Sequence, residues 1–204
     1  MLLAAGASRR FGRPKLLAEI DGLPMVRRSA LAALETGLPL IVVVGAYADD
    51  VRASLRGLPV RFVHNAAWAQ GMGGSIACAA AALADGGEMP AAVIILPADL
   101  PRVGGAQLTR LLEVHQQFAG RILVSDLGHA GGPPCLFPQH YFNALQQLSG
   151  DTGARSVVGS HPMEVTRVPM PEAAFDVDTP DDLRRLSSSF PGGRQADKPV
   201  ESQC

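Results

Sequence analysis

Two runs of apolar residues, at 40–45 and 92–96, limit this chain to folds that bury a sheet completely. They read Leu-Ile-Val-Val-Val-Gly and Ala-Val-Ile-Ile-Leu, and neither alternates between apolar and polar residues. A strand that is apolar on both faces is buried on both faces, which is typical of the central strands of a parallel sheet covered by helices. The two runs therefore predict an α/β fold.

The remaining sequence patterns predict further strands and the helices that connect them. Residues 60–63 and 122–125 predict two shorter strands, and the apolar spacing predicts helices at 25–35, 74–83 and 106–118. Alternation of strands with helices is typical of parallel strands joined by crossover helices. We expect a three-layer α/β/α arrangement with a mostly parallel central sheet.

Length and composition indicate one domain. A chain of 204 residues with 47% hydrophobic content can bury one substantial core. We place this domain at residues 1–186 and predict a disordered C-terminal tail at 187–204, because the tail has too few apolar residues to offset its ordering entropy.

Charge and cysteine content exclude several classes of function. The net charge is −1 and the sequence pI is near 6.5, so no basic field favours nucleic acid or an anionic membrane surface. The three cysteines, Cys78, Cys135 and Cys204, form no Cys-x-x-Cys pair and no Cys/His metal spacing, which argues against a disulfide framework. The sequence shows neither a signal peptide nor an apolar span of about 20 residues, so we expect a cytoplasmic protein.

Residues 2–15 form the most informative segment, a short apolar strand that leads into a Gly/Ser loop with cations. Successive N–H groups in such a loop can converge on phosphate oxygens, and small side chains let the backbone approach the ligand. Arg10 offers a planar fork for phosphate, and Lys15 a mobile point charge. The segment has neither the Walker A pattern nor Gly-x-Gly-x-x-Gly. It predicts a different loop for a nucleoside triphosphate, built on Leu3, Ala4, Ala5, Gly6 and Ser8.

Carboxylates follow two predicted strands, at the sheet edge where open α/β sheets bind their ligands. Asp99 follows the strand that ends at residue 96, and Asp178 belongs to the acidic run 176–182, where alternation puts Asp176 and Asp178 on one strand face. Mg²⁺ favours one or two protein carboxylates together with substrate phosphates. Each acid alone fits a solvated loop or a helix N-terminus equally well. Their joint occurrence at strand ends favours a magnesium site on Asp99 and Asp178.

Two glycine-rich segments complete the candidate site. Residues 70–76 form a glycine turn before a helix, which either reads a nucleobase edge through its backbone or is a plain loop. Residues 128–137 predict a flexible wall, and Asp151 and Arg155 follow as an acid/arginine pair. These later residues are candidates for contact with a second substrate.

Taken together, these motifs resemble the MobA-like NTP transferase family, closest to the molybdenum cofactor cytidylyltransferases. The N-terminal match is Leu-Ala-Ala-Gly-x-Ser-x-Arg-Phe-Gly-x-Pro-Lys at 3–15. The later matches are Gly-Met-Gly-Gly-Ser at 71–75, Pro-Ala-Asp-Leu-Pro at 97–101, Gly-Pro-Pro-Cys-Leu-Phe-Pro at 132–138, Gly-Asp-Thr-Gly-Ala-Arg at 150–155 and Asp-Val-Asp-Thr-Pro-Asp-Asp-Leu at 176–183. The resemblance covers nearly the whole chain up to Leu186.

The resemblance implies a Rossmann-like nucleotidyltransferase sheet and a set of site residues. It implies that the N-terminal loop holds the triphosphate, with Arg10 and Lys15 on the β- and γ-phosphates. It places the base at the loop of Gly71, Met72, Gly73 and Ser75, the Mg²⁺ on Asp99 and Asp178, and the acceptor near Gly132, Pro133, Asp151 and Arg155. Ala5 matches the cytidylyl form of the motif, which favours CTP over GTP.

The implied reaction is transfer of CMP from CTP to a molybdopterin-type cofactor with release of pyrophosphate, with a molybdenum hydroxylase as recipient of the product. Arg10, Lys15 and Asp99 are the expected catalytic residues. Members of the family often have Gly-His-Pro where this chain has Gly132-Pro133-Pro134, and their first strand begins several residues earlier. Two alternatives stay open: a different phosphorylated acceptor, such as a sugar or polyol phosphate, and a protein of the same fold that binds a nucleotide or NAD(P)H for a redox or cofactor-chaperone role.

Overall fold

The computed structural model describes residues 1–8 and 11–189 around a seven-stranded sheet. In chain order the strands are β1 (Leu2–Ala4), β4 (Leu40–Val44), β5 (Val60–His64), β6 (Ala92–Pro97), β7 (Ile122–Asp126), β8 (Gly131–Pro138) and β9 (Val165–Pro169), and a separate hairpin pairs β2 (Glu19–Ile20) with β3 (Leu23–Pro24). The order across the sheet is β5-β4-β1-β6-β8-β7-β9, and only β8 runs opposite to its neighbours. The mostly parallel sheet is confirmed.

Seven α-helices are described along the chain: α1 (Met25–Leu34), α2 (Ala48–Ser54), α3 (Met72–Ala82), α4 (Gly105–Gln117), α5 (Phe142–Gln146), α6 (Arg155–Ser160) and α7 (Pro180–Ser189). The last helix continues through residues 187–189 of the predicted tail, and residues 190–204 lie outside the described part of the chain. Among the described helices, none is long and apolar enough to cross a membrane.

The core lies on both faces of the sheet, as the apolar runs require. In β4, Val42 and Val44 belong to the apolar cluster beneath α1 and α4, whereas Val43 belongs to the cluster beneath α3 and α5. All three valines are completely buried. This alternation confirms the three-layer α/β/α arrangement and explains why the run lacks any polar residue.

The predicted flexible wall at 128–137 is wrong, because residues 131–138 form β8, between β6 and β7. Leu136 and Phe137 are completely buried in it. Proline lacks the N–H group that a ladder needs, and so the sequence of this segment argues against a strand. The register shifts between Val124 and Ser125, opposite Pro133 and Pro134, and this irregularity accommodates both prolines.

The predicted strand through Asp176 and Asp178 is also wrong. Residues 175–179 form an irregular connection between a 3₁₀ turn at Pro171–Ala174 and α7. Val177 is nevertheless completely buried, and its N–H group donates a hydrogen bond to the Asp99 carbonyl at 3.1 Å. The connection is therefore fixed to the end of β6 by a backbone bond rather than by a ladder.

Candidate active site

A pocket of about 490 Å³ opens at the carboxyl edge of the sheet, where the loops after β1, β5 and β6 meet. Parallel strands end at the same edge, and this edge is where ligands of open α/β sheets bind. The predicted residues that line this pocket are Leu3, Ala5, Gly6, Ser8, Lys15, Gly71, Met72, Ser75, Asp99, Asp151 and Asp178. Five separate sequence motifs thus meet in one cavity.

The N-terminal loop is held in place at Ser8. This residue has a positive φ of 54°, its carbonyl accepts a hydrogen bond from the N–H of Phe11 at 2.9 Å, and its Oγ accepts one from the N–H of Lys15 at 3.2 Å. Phe11 is buried in the apolar cluster beneath α1. The loop therefore turns back on itself and directs Lys15 toward the pocket.

Lys15 joins the two carboxylates that the sequence assigned to a metal. Its Nζ lies 2.8 Å from Oδ2 of Asp99 and 2.9 Å from Oδ1 of Asp178. The side chain of Lys15 is 14% exposed, and those of Asp99 and Asp178 are 24% and 27% exposed. Burial by itself lowers the pKa of Lys15, but the charges and hydrogen bonds of Asp99 and Asp178 outweigh it and raise the pKa above its usual value. The ammonium group therefore stays charged between them.

Asp178 reaches this cluster because the start of α7 is capped. The Thr179 hydroxyl and N–H donate to Oδ2 of Asp182 at 2.7 and 2.8 Å, and the Asp182 N–H donates back to the Thr179 hydroxyl at 3.3 Å. The N–H of Asp178 also donates to Oδ2 of Asp182 at 3.2 Å. Thr179 and Asp182 thus cap the start of α7 reciprocally, and the Asp182 carboxylate also fixes the backbone of Asp178, the candidate ligand.

Asp182→Asn tests this cap through its pH dependence. Hydrogen bonds from Thr179 lower the pKa of Asp182 below its usual value of 3.8. The charged carboxylate therefore stabilises the fold fully above pH 3.8, and this contribution is lost as the pH falls through the lowered pKa. We expect Asp182→Asn to lower the Tm at pH 7, with the difference from wild type shrinking below pH 4, in thermal melts recorded from pH 3 to pH 7. An equal difference at every pH would contradict this account.

The glycine loop before α3 packs directly on the loop that carries Asp151. The N–H of Gly73 donates to the Gly150 carbonyl at 2.9 Å. A Cβ atom added to Gly71 would lie 2.2 Å from the Gly150 carbonyl oxygen, and one added to Gly73 would lie 2.6 Å from that of Ser149. Side chains at these two positions would therefore force the loops apart.

Gly71→Ala is expected to destabilise the protein by about 2 kcal/mol or more, because φ at Gly71 is +121° and the added methyl group meets backbone. Gly74→Ala is the matched control three residues later. The atom nearest to its added Cβ would be Nδ2 of Asn65, at an ordinary contact distance of 3.6 Å, and alanine has a higher helix propensity than glycine. Urea denaturation of both variants measures the difference, and equal stabilities would show that the two loops are not locked together.

A second cavity, of about 780 Å³, adjoins the first. Leu3, Met72, Pro97 and Asp151 line both cavities. The predicted acceptor residues Gly132, Pro133 and Arg155 line only the second, whose wall also includes Arg167, a residue that the sequence analysis missed. Cys135 lines it too, but burial raises the pKa of its thiol to about 12 and its Sγ donates to the Gly132 carbonyl at 3.2 Å, so it is a small apolar residue rather than a nucleophile.

Two predicted residues, Ala4 and Gly73, line neither cavity. Ala4 is buried in β1, and the N–H group of Gly73 is bonded to the 150 loop. The predicted phosphate ligand Arg10 lies outside the described part of the chain. Trp68 lines the first cavity and was missed, although it is the chain's only tryptophan and lies just before the glycine-rich segment.

The carboxylate pair fits a divalent cation of the magnesium type. Both groups supply hard oxygen atoms, and they already converge on one cation, Nζ of Lys15. No group of three or more His, Cys, Asp or Glu side chains that could hold a metal occurs within residues 1–8 and 11–189. Two carboxylates are enough for Mg²⁺ when substrate phosphates complete its coordination.

Comparison with known proteins finds similar chains and structures over nearly the whole length of this chain. A curated relative, "Nicotine blue oxidoreductase" of Paenarthrobacter nicotinovorans, is 31% identical over 91% of this chain and 94% of its own length. The crystal structure of Rv0371c from Mycobacterium tuberculosis H37Rv is 31% identical, covers 93% of this chain and 97% of that one, and has a TM-score of 0.76. A structure of Rv0371c in complex with manganese is 28% identical over 93% and 97% of the two chains, also with a TM-score of 0.76.

The family model of the MobA-like NTP transferase domain matches residues 1–165, which include β1 to β8 and all the predicted site residues except Asp178. The expected resemblance is thereby confirmed, and with it the Rossmann-like nucleotidyltransferase fold. This chain belongs to the MobA-like NTP transferase family.

Proposed function

We propose that this nucleotidyltransferase moves CMP from CTP to a terminal phosphate of a molybdopterin-type cofactor and releases pyrophosphate. One observation carries the proposal: a phosphate-type loop and a carboxylate pair bridged by Lys15 share one cavity, and a second cavity of about 780 Å³ adjoins it. A transferase needs room for a nucleotide and an acceptor side by side. The shared wall of Leu3, Met72, Pro97 and Asp151 brings the two spaces into contact.

Asp99 and Asp178 would hold Mg²⁺, which supplies positive charge to the phosphate oxygens as the leaving group departs. The manganese complex of Rv0371c, a similar protein, supports a divalent cation in this family. Lys15 forms ion pairs with both carboxylates. Its flexible side chain would turn to the triphosphate when the cation takes its place.

The chain's own contribution to the reaction is positioning and charge. An oxygen of the acceptor phosphate attacks the α-phosphorus in line, a new P–O bond forms, and the bond to the bridging oxygen of the β-phosphate breaks. Pyrophosphate leaves with that electron pair. A phosphate ester is already ionised at pH 7, so no side chain has to remove a proton from it. The N–H groups after β1, with Arg10 and Lys15, would hold the β- and γ-phosphates.

CTP is the favoured nucleotide because Ala5 matches the cytidylyl form of the N-terminal motif. Gly132, Pro133, Asp151 and Arg155 would contact the acceptor, since all four line the second cavity. A nucleotide-dependent step on a soluble cofactor fits the cytoplasm, and a molybdenum hydroxylase would be the recipient of the product. Neither nucleic acid nor a membrane is part of the proposal.

Two other functions compete with this one. The same chemistry could act on a sugar or polyol phosphate, which differs only in the acceptor. A redox function with NAD(P)H is favoured by one observation, the 31% identity to a relative named for an oxidoreductase. The paired carboxylates speak for the transferase, because nucleotide binding without phosphoryl chemistry does not require a site for a divalent cation.

Pyrophosphate release by the purified protein tests the proposal. We would compare CTP, GTP, ATP and UTP with Mg²⁺ or Mn²⁺, each with molybdopterin cofactor, with a sugar phosphate or without acceptor, and follow NADPH oxidation in parallel. Release with CTP that depends on molybdopterin is the expected result. Release only with a sugar phosphate would select the second function, and NADPH oxidation without any pyrophosphate release would select the third.

A further inference from the structure

Trp68 occupies a defined place on the wall of the nucleotide pocket. It begins the 3₁₀ turn Trp68–Gln70 after β5, and its N–H group donates to the Asn65 carbonyl at 3.3 Å. Asn65 is buried, and its side chain accepts from the N–H of Ala67 at 3.0 Å and donates to Oγ of Ser75 on α3 at 3.0 Å. The turn that presents the indole is thus tied to the helix behind it.

Trp68 and Ala5 both lie against Gly45, at the end of β4. A Cβ atom added to Gly45, directly after β4, would lie 2.7 Å from Cβ of Trp68, 2.7 Å from the Ala5 carbonyl oxygen and 2.9 Å from Cβ of Ala5. Only a glycine allows the ends of β1 and β4 and the 68–70 turn to approach this closely. Ala5, the residue that distinguishes the cytidylyl form of the motif, is therefore a spatial neighbour of Trp68.

The topology of the sheet separates the corner formed by Trp68, Ala5 and Gly45 from the charged groups of the pocket. The order β5-β4-β1-β6 puts the turn after β5 on one side of β1 and Asp99, after β6, on the other. Lys15 and Asp178 lie with Asp99. A nucleotide whose triphosphate lies at the loop after β1, toward these charges, extends its base toward Ala5 and Trp68.

The chemistry of the corner fits a base rather than a phosphate. Trp68 is the one aromatic residue among the described residues that line this pocket. It is half-buried: it packs against the apolar cluster beneath α3, and it also lines the cavity. An indole offers a flat face or edge to a heteroaromatic ring, and such contacts contribute substantially to nucleotide binding.

We infer that the indole of Trp68 forms the base-side wall of the nucleotide pocket, where it contacts the nucleobase. This inference rests on the proposed nucleotide function and adds a base-contacting residue to it. Trp68 acts on the base alone, whereas Lys15 and the phosphate loop act on the triphosphate.

Inorganic tripolyphosphate distinguishes binding of the base from binding of the phosphates, because it carries the phosphates without a base. In the wild-type protein, CTP is expected to quench or shift the fluorescence of Trp68, the chain's only tryptophan, and tripolyphosphate to leave it unchanged. In isothermal titration calorimetry, Trp68→Leu should weaken CTP binding about tenfold or more, the loss of one base contact, without changing the Kd of tripolyphosphate.

Phe118→Leu is the matched control, since it removes an exposed aromatic ring that lines neither cavity. Trp68→Phe keeps a smaller ring and serves if the leucine variant does not fold, with an intermediate loss of CTP affinity expected. If CTP binds but neither perturbs Trp68 nor loses affinity more than tripolyphosphate in the variants, the inference is overturned and the nucleotide function stands. If the wild-type protein binds tripolyphosphate but no nucleotide, or neither ligand, the proposed function fails as well.

Discussion

Lys15→Ala is expected to lower the rate of pyrophosphate release about 100-fold or more, the usual cost of losing one preorganised group that stabilises charge in the transition state. Lys15 is the cation that joins Asp99 to Asp178, at 2.8 and 2.9 Å. Among the described residues that line the first cavity, it is the only cation. Without it, the β- and γ-phosphates lose a charged partner, and the two carboxylates repel each other until a metal binds. Steady-state kinetics at saturating CTP and Mg²⁺ measure the effect.

Lys15→Arg is the control, because it keeps the positive charge but replaces the compact ammonium group with a planar guanidinium group. It should recover part of the lost rate and keep the carboxylates paired, so that its Tm in EDTA stays closer to wild type than that of Lys15→Ala. A Lys15→Ala enzyme with the wild-type rate would remove Lys15 from the proposed mechanism, whatever its stability.

Asp99→Asn and Asp178→Asn should each lower activity about 100-fold or more and raise the Mg²⁺ concentration needed for half-maximal rate, since each removes one proposed ligand charge. Because both ligands act through one cation, the double variant should be little worse than either single variant. Activity titrated with Mg²⁺ and with Mn²⁺, and its loss in EDTA, measure these effects.

Asp176→Asn is the matched control, two residues from Asp178. Asp176 lines neither cavity, although burial and the charges of Asp178 and Asp99 raise its pKa. Its replacement should change the rate by no more than a few-fold. Equal losses in all three variants would point to a general electrostatic effect, and strictly additive losses at 99 and 178 would contradict a shared metal.

The central strands could be predicted because their signal is local. The runs at 40–45 and 92–96 have no polar residue to place on a solvent face, so each had to be buried on both sides, as β4 and β6 are. Helix α3 begins at Met72 rather than at the predicted Gly74, since helix ends depend on backbone bonds to other segments, here the bond from Gly73 to Gly150.

Local sequence was enough to place a phosphate-type loop after the first strand, a carboxylate after the strand that ends near residue 96, and glycines before a helix. Parallel strands bring such motifs to one edge, which is why Lys15 and Asp99 could be grouped without coordinates. Asp178 joins them through the irregular connection 175–179 and not through the strand that the sequence predicted. Local residue chemistry decides these features, so local sequence reveals them.

Contacts between distant segments became visible only in the folded chain. The tertiary structure placed β8 antiparallel between β6 and β7 despite Pro133 and Pro134, and it packed the Gly71 loop on Gly150. It also brought Trp68 over Gly45 beside Ala5. These contacts join residues far apart in the chain, and they depend on packing across the sheet edge and on backbone hydrogen bonds between loops, which no local pattern encodes.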